Sequence, residues 1–203
     1  MKHLRASIGL TFFFIVGFGL LFPAAIYGIS QLLFPFQAGG SLIKGPNGQI
    51  IGSSLLAQGF TKPQYFHPRP SAAGNGYDAA NSGATNLGPT SDKLINGVKD
   101  PKNPSNNFDG VKDLAKAYRE ENGYSPTTVI PVDAVTRSAS GLDPDISIDN
   151  ATLQAGRVAK ARNMTVNQVI AVINAHTQGR FLGLYGEPRV NVLELNLALD
   201  KKA

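Results

Sequence analysis

The chain has 203 residues, with 19 Lys and Arg against 14 Asp and Glu, a formal net charge of +5 and no Cys. The lack of Cys excludes disulfide bonds, thiol chemistry and cysteine metal sites. The basic residues form no cluster, and without Lys2 and Arg5 the balance is 17 basic to 14 acidic residues. This composition argues against a nucleic-acid partner.

The first feature along the chain is a stretch without charged residues between Arg5 and Lys44. Its apolar part, residues 10–34, is longer than the about 20 residues that cross a bilayer as a helix. Pro23 is its one interruption, and we expect a kink there. Because Lys2 and Arg5 precede the span, the positive-inside rule predicts a cytoplasmic amino terminus. A cleaved signal peptide is the alternative, but its apolar core would be shorter.

We therefore predict a single-pass protein of the inner (cell) membrane with two parts. Residues 1–38 form the cytoplasmic tip and the transmembrane anchor helix. Residues 39–203, about 165 residues, form one exterior domain of the α+β class with a small sheet. Within the anchor, Ala24 and Gly28 have the small-xxx-small spacing that lets a neighbouring helix approach closely.

Local patterns predict the first elements of the exterior domain. Short strands are expected at residues 41–44 and 49–52, on either side of a Gly-Pro-Asn-Gly turn. Residues 71–110 include 20 Gly, Pro, Asn or Ser among 40, which predicts a long irregular loop. A helix is expected over residues 112–121, ending at the following Asn-Gly pair.

The carboxy-terminal part carries recognisable helix starts. Ser147 or Asp149 can cap one helix. Residues 165–168 form a capping box that starts the next helix, whose apolar residues follow a helical spacing and which we expect to end at Gly179. Leucines alternate with polar or small residues over 193–199, which predicts a half-buried strand.

Few residues suggest chemistry. The sequence has no P-loop and no Asp-Lys-Thr-Gly phosphorylation motif, and one span without charge cannot conduct an ion alone. The histidines His3, His67 and His176 lack the spacing of metal ligands, so we predict no metal site. Ser140, with Asp143 and His176, is the serine-hydrolase alternative, but the Gly-x-Ser-x-Gly elbow is missing.

Three blocks are too distinctive for random loops: residues 65–73 with 77–90, residues 138–147, and residues 176–180 with 186–200. Together with residues 40–43 and 154–162 they closely resemble the C subunit of the bacterial Kdp potassium-transporting ATPase, and the resemblance extends over nearly the whole chain, anchor included. The positions that we select within the blocks as structural or partner contacts are Tyr65, Phe66, His67, Arg69, Pro70, Asn86, Leu87, Gly88, Ser140, Gly141, Leu142, Asp143, His176, Gly179 and Arg180.

The resemblance implies a non-catalytic accessory subunit of a high-affinity K⁺ uptake pump. Its implied partners are a channel-like K⁺-translocating subunit, an ATP-hydrolysing P-type subunit and a very small single-span subunit in the same membrane. It implies no cofactor of the chain's own, since ATP and K⁺ are handled by the complex. Gln178 stands where similar proteins often carry Glu, which argues against a role that needs charge there.

The resemblance also implies a catalytic-chaperone role that raises the ATP affinity of the pump subunit, with Gln154 as the best-matching position. The predicted topology places the domain on the membrane face opposite the cytoplasm. ATP is scarce on that face. We therefore favour stabilisation of the assembly. A membrane-tethered exterior hydrolase and a small-molecule-binding module are the alternatives from other functional classes.

Overall fold

A computed structural model describes residues 2–201 of the chain, with side chains from residue 3 onward. The chain divides into two compact units, one up to Ser53 and one from Ser54 onward. The predicted boundary after residue 38 separates the membrane anchor from the exterior domain, which is a different criterion from compactness. That boundary stays a prediction. An N-terminal apolar helix precedes a mixed helix and small-sheet domain, which confirms the predicted fold class.

The first unit is mostly one helical rod. It consists of helix α1, Lys2–Val16, a π-helical turn, Gly17–Leu21, and helix α2, Phe22–Leu33. The part from His3 to Leu33 is 31 residues long and apolar enough to cross a membrane.

Pro23 explains the π-helical turn. In a continuous α-helix its ring would meet the carbonyl of Gly19, which would also lose its hydrogen bond. The turn relieves this conflict by widening the spacing, so that the Phe22 N–H donates to the oxygen of Gly17, five residues earlier. The expected interruption at proline therefore takes the form of a wider helical turn.

A β-hairpin completes the first unit, after the short helix α3, Pro35–Ala38. Strands β1, Leu42–Lys44, and β2, Ile50–Ser53, pair antiparallel. The turn between them closes with a 2.8 Å hydrogen bond from the Gly45 N–H to the oxygen of Gln49. The predicted hairpin is confirmed.

In its described part, residues 54–201, the second unit combines six α-helices with a three-stranded antiparallel sheet. Residues 54–91 lie in turns and irregular backbone, and the irregular segment predicted over 71–110 is confirmed apart from one short helix and a 3₁₀ turn. The sheet order is β3-β5-β4, with Val190 opposite both Ile146 and Thr177. The elements are α4 Asp92–Asn96, α5 Val111–Asn122, α6 Val132–Val135, β3 Asp145–Ser147, α7 Ile148–Ala161, α8 Val166–Ala175, β4 Thr177–Gln178, β5 Arg189–Asn191 and α9 Val192–Asp200.

The helix signals in the sequence are mostly confirmed. Gly123 ends α5 in the left-handed conformation, with φ +73°. Of the two candidate caps of α7, Ser147 takes the role, since its Oγ accepts the Asn150 N–H at 3.1 Å. The capping box of α8 forms as predicted, with Thr165 Oγ1 accepting the Gln168 N–H.

The predicted end of α8 at Gly179 is wrong, because the helix stops at Ala175. Two side chains after it add hydrogen bonds to carbonyls of the last turn, which also accept the backbone N–H of His176. His176 Nδ1 lies 2.9 Å from the oxygen of Val172, and Thr177 Oγ1 donates to the oxygen of Ile173 at 2.9 Å. The chain then enters β4 at once.

The predicted strand over residues 193–199 is also wrong, because this segment is helix α9. Asn191 caps it, with its Oδ1 accepting the Glu194 N–H at 3.1 Å. The alternating leucines suggest a strand because the helix is buried on more than one face, so Leu193 is buried as well. Its main buried face nevertheless has helical spacing, with Val192, Leu195, Asn196 and Leu199.

The main core lies between α7, α8, α9 and the sheet. Phe66 is completely buried in it, although it belongs to irregular backbone far from these elements in sequence. Its position shows that the segment around it is fixed to the helices. The other large buried core residues are Ile146, Val158, Val169, Val172, Ile173, Val190, Val192, Leu195 and Leu199.

Candidate functional site

The first motif block contains a short irregular segment whose backbone is held by side chains. We call it the clamped segment, Pro63–His67. Each of its five carbonyl oxygens accepts a hydrogen bond from a side chain on α7, on the residue after it or on α9. The donors are Arg157 Nη1 to Pro63 (2.7 Å) and Tyr65 (2.9 Å), Arg162 Nε to Gln64 (2.7 Å), Asn196 Nδ2 to Phe66 (3.0 Å) and Gln154 Nε2 to His67 (3.0 Å).

Two carboxamides bind both backbone groups of one residue each. Asn196 Oδ1 accepts the Phe66 N–H at 2.8 Å, and Gln154 Oε1 accepts the His67 N–H at 2.8 Å. With the bonds to the carbonyls, each carboxamide replaces the partner that a neighbouring strand would supply. Irregular backbone can therefore run through the core without unpaired polar groups.

Gln154 has no free hydrogen-bonding position within this arrangement. Its Nε2 also donates to Asn150 Oδ1 at 2.9 Å, and its Oε1 also accepts from Arg157 Nη2 at 2.8 Å. The cavity that it lines measures about 160 Å³, below the roughly 300–1,000 Å³ of small-molecule sites. The nucleotide role implied for Gln154 stays a prediction, and a nucleotide would have to displace its bonds to His67.

The network continues into helix α5. His67 Nδ1 lies 2.9 Å from Glu121 Oε1, and Tyr118 OH donates to Asn150 Oδ1 at 2.9 Å. The hydrogen bond from His67 lowers the pKa of Glu121. Burial raises the pKa of the Tyr118 hydroxyl, which therefore remains a neutral donor.

The first two motif blocks meet at Arg69. Its Nη1 donates to Asp143 Oδ2 at 2.8 Å, and its Nε donates to the carbonyl of Thr136 at 3.4 Å. Tyr77 OH donates to the carbonyl of Arg69 at 2.8 Å, and burial raises the pKa of Tyr77 to about 12. The side chains of this junction are engaged with the chain itself.

Gly141 permits the same two blocks to touch. Its φ is +68°, and a Cβ there would lie 2.7 Å from both the Ala73 nitrogen and the Gly83 oxygen. Ser71 Oγ donates to the Gly141 carbonyl at 2.6 Å. A side chain at position 141 would push the blocks apart.

The serine-hydrolase pair is not assembled. Ser140 Oγ accepts the Leu142 N–H at 3.0 Å and lies 3.4 Å from Ser138 Oγ. His176 Nδ1 faces the carbonyl of Val172 in the last turn of the preceding helix, α8. In the described part of the chain the hydroxyl and the imidazole share no hydrogen bond, so the geometry of a nucleophile and its base is not formed.

The remaining predicted positions are spread over several surfaces. Tyr65 OH donates to Asp200 Oδ2 at 3.2 Å, Pro70 lines the small cavity beside Gln154, and residues 86–88 lie in the irregular loop. Ala24 and Gly28 are exposed on α2. Among residues 3–201 no three His, Asp or Glu side chains converge as metal ligands would, and the prediction of no metal stays a prediction.

A region that the sequence predictions missed lies between β4 and β5. We call Phe181–Tyr185 the apolar tip, because its four large side chains are exposed. The exposed fractions are between 66% and 74% for Phe181, Leu182, Leu184 and Tyr185. Arg180 and Glu187 form an ion pair at its base, with 2.8 Å between Nη2 and Oε2. The sequence does carry a signal for this region, an apolar run between two glycines. This run is not part of the buried face of a helix or strand.

The order of elements in the fold indicates the class of protein to which the chain belongs. An apolar helix of 31 residues followed by an α+β domain is the architecture of a single-pass membrane protein with one folded domain. The chain belongs to the KdpC family, described as "K+-transporting ATPase, c chain", whose family pattern matches residues 4–201. It is thus a subunit of a potassium-transporting P-type ATPase complex and has partner subunits, and the resemblance noted in the sequence is confirmed.

Three relatives illustrate the relationship, each named "Potassium-transporting ATPase KdpC subunit". The protein of Caulobacter sp. (strain K31) is 50% identical over 202 residues, which cover 100% of this chain and 95% of the relative. The protein of Mycobacterium bovis (strain BCG / Pasteur 1173P2) is 48% identical over 200 residues, 98% of each chain. That of Koribacter versatilis (strain Ellin345) is 48% identical over 199 residues, 98% of this chain and 94% of the relative.

Proposed function

We propose that this chain is a non-catalytic accessory subunit that stabilises the assembly of the K⁺ pump. The observation that supports the proposal is the use of its polar motif residues, which bind the chain's own backbone instead of converging on a reaction site. Arg157, for example, joins Pro63 and Tyr65 to Gln154. The chain then needs no cofactor of its own, and ATP and K⁺ act through the other subunits.

The proposed partners are the channel-like subunit, the ATP-hydrolysing subunit and the small single-span subunit. In the membrane, we propose that Ala24 and Gly28 form the contact face. Both are exposed on α2, and a Cβ at Gly28 would meet no atom of the described chain within 4 Å. Gly28→Leu should reduce recovery of the partners in detergent copurification, whereas the control Ile29→Leu, on the same helix, should not.

The proposed orientation has the amino terminus in the cytoplasm and the domain outside, because Lys2 and Arg5 precede the span. A reporter enzyme fused after Ala203 should be active only in the exterior compartment. Activity in the cytoplasm would overturn this topology.

The test of the accessory role is growth at limiting K⁺. Arg69→Lys keeps the charge but loses the planar fork that joins Asp143 to Thr136. Arg180→Lys weakens the pair with Glu187 in the same way. Both variants should weaken growth or complex stability without changing ion selectivity. Ser140→Ala should be nearly silent, since a turn hydroxyl contributes about 1 kcal/mol.

Three outcomes would contradict this role. A loss of growth for Ser140→Ala at normal abundance would favour the hydrolase. Healthy growth of both Arg variants would contradict the scaffold. The third outcome is nucleotide binding. A groove of about 720 Å³ lined by Arg157 and Lys160 is large enough for a nucleotide. Glu120 and Glu121 also line the groove and balance its positive charge. Saturable ATP binding to the purified chain by calorimetry would support the chaperone role instead.

A further inference from the structure

We propose that the apolar tip, Phe181–Tyr185, is a docking knob that inserts into an uncharged apolar recess on another subunit of the pump. The inference rests on the accessory role proposed above and adds the surface through which the domain acts. Neither the family relationship nor the motif positions assign a role to these four side chains. Their arrangement carries the inference in four steps.

The first step is exposure. Two aromatic rings and two leucines are each at least 66% exposed, and they follow one another within five residues. Together they present on the order of 500 Å² of apolar surface, which is at the upper end of the patches that monomeric proteins expose. The largest apolar patch on a monomeric protein is in this size range and is often functional.

The second step is rigidity. The Phe181 N–H donates to the Tyr185 oxygen at 2.8 Å, and the Tyr185 N–H returns a bond to the Phe181 oxygen at 3.0 Å. Leu182 and Gly183 both adopt positive φ, +53° and +73°. A leucine in this region is strained. The turn therefore holds its side chains outward in one arrangement, which reduces the entropy cost of insertion into a shaped recess.

The third step is charge, which distinguishes a protein recess from a lipid surface. Peripheral attachment to anionic lipid uses free Lys and Arg beside the apolar residues. Here both flanking arginines are paired: Arg180 with Glu187 at 2.8 Å, and Arg189 with Asp145 at 2.7 Å. The knob thus presents apolar surface bordered by neutralised charge, which complements an uncharged protein recess.

The fourth step is size. The exposed surface of the knob is less than the roughly 800 Å² that each partner buries in a stable interface. It therefore cannot hold the subunit in the complex alone. The anchor helix supplies a second attachment, and two linked contacts strengthen each other because the second one forms at a high effective concentration.

The experiment uses the whole pump, purified through a tag on a partner subunit. The double variant Phe181→Ser with Leu184→Ser should reduce recovery of this chain about tenfold or more, as expected for loss of buried anchor residues. Val129→Ser is the matched control, since Val129 is 87% exposed outside the knob, and it should leave recovery unchanged. The thermal unfolding of the variant chain in detergent should stay as in the unchanged chain, which separates docking from folding.

The lack of Cys in the chain permits a direct second measurement. Leu184→Cys carrying a benzophenone maleimide should crosslink to one other polypeptide of the intact pump on illumination, and Val129→Cys should not. Crosslinks to lipid alone, or normal recovery of the double variant, would overturn the docking knob. If recovery is normal for the double variant but Arg69→Lys weakens growth at limiting K⁺, the accessory role stands without the knob. If Arg69→Lys and Arg180→Lys also grow normally, the accessory role fails as well.

Discussion

The clamped segment and the apolar tip are both irregular backbone, but they use their side chains in opposite ways. In the clamped segment, Pro63–His67, helix side chains bind the backbone and Phe66 fills the core. In the apolar tip, Phe181–Tyr185, the backbone bonds to itself and the large side chains remain outside. The difference teaches that the polar side chains around the clamped segment bind the chain's own backbone. The docking knob proposed above would leave the contact with a partner to apolar side chains.

The largest effect on folding is expected from Asn196→Ala. It leaves the N–H and the carbonyl of buried Phe66 without partners, at a cost of about 1–3 kcal/mol for each group. The unfolding free energy in urea, followed by circular dichroism in detergent, should fall by about 2–6 kcal/mol. Asn174→Ala, at an exposed position of α8, should change it by less than about 0.5 kcal/mol. Equal losses of unfolding free energy for Asn196→Ala and Asn174→Ala would show that the bonds to the clamped segment contribute no more than an exposed side chain.

Arg157→Lys should come next. Lysine keeps the positive charge but cannot hold Pro63, Tyr65 and Gln154 with one planar group. We expect a loss of about 1–3 kcal/mol in the same unfolding measurement. Lys160→Arg, one turn further along α7 and exposed, is the control and should have little effect. A stable Arg157→Lys variant would show that the two carboxamides and Arg162 are sufficient to fix the segment.

The pair of His67 and Glu121 gives the clamped segment a pH dependence. The bond from His67 lowers the pKa of Glu121 in the folded chain. The stabilisation is thus present above the ordinary Glu pKa of about 4.3 and is lost as the pH falls through the lowered value. Glu121→Gln should be less stable than the unchanged chain at pH 7, and the two should converge in acid. A constant difference down to pH 2 would contradict this cause.

The smallest effect on folding is expected at the apolar tip. Leu184→Ser replaces a side chain that is 74% exposed, so the unfolding free energy should stay within about 0.5 kcal/mol. A loss above 1 kcal/mol would mean that the tip belongs to the folded core. This measurement on the isolated full chain therefore tests whether the apolar tip, unlike the clamped segment, contributes nothing to folding.

Local patterns predicted the elements that depend on neighbouring residues. The apolar span, the hairpin and the capping box of Thr165 and Gln168 were all readable, since each is decided within a few positions. Helix α9 was not, because its alternating leucines fit a strand as well as a helix buried on several faces.

The site was predictable only as a set of positions. His67, Arg69, Asp143 and Gln154 were singled out, but their pairing was not. The bond between Phe66 and Asn196, for example, joins residues 130 positions apart, and the sequence pattern around either residue does not encode it. The apolar tip was not predicted because it lies between the two parts of the third block, whose distinctive residues are at 176–180 and 186–200.

The π-helical turn at Gly17–Leu21 has a consequence for the membrane span. A single extra residue in a helical turn rotates everything beyond it by about 100° around the axis. The helix face that includes Ala24 and Gly28 therefore does not continue straight into α1. The residues of α1 that lie three or four positions apart in register with Ala24 and Gly28 point to a different side of the rod. The rod offers one face in its first half and a differently directed face in its second, which allows it to lie between two neighbours. Deleting one residue of the turn would realign the halves and bring both faces to the same side.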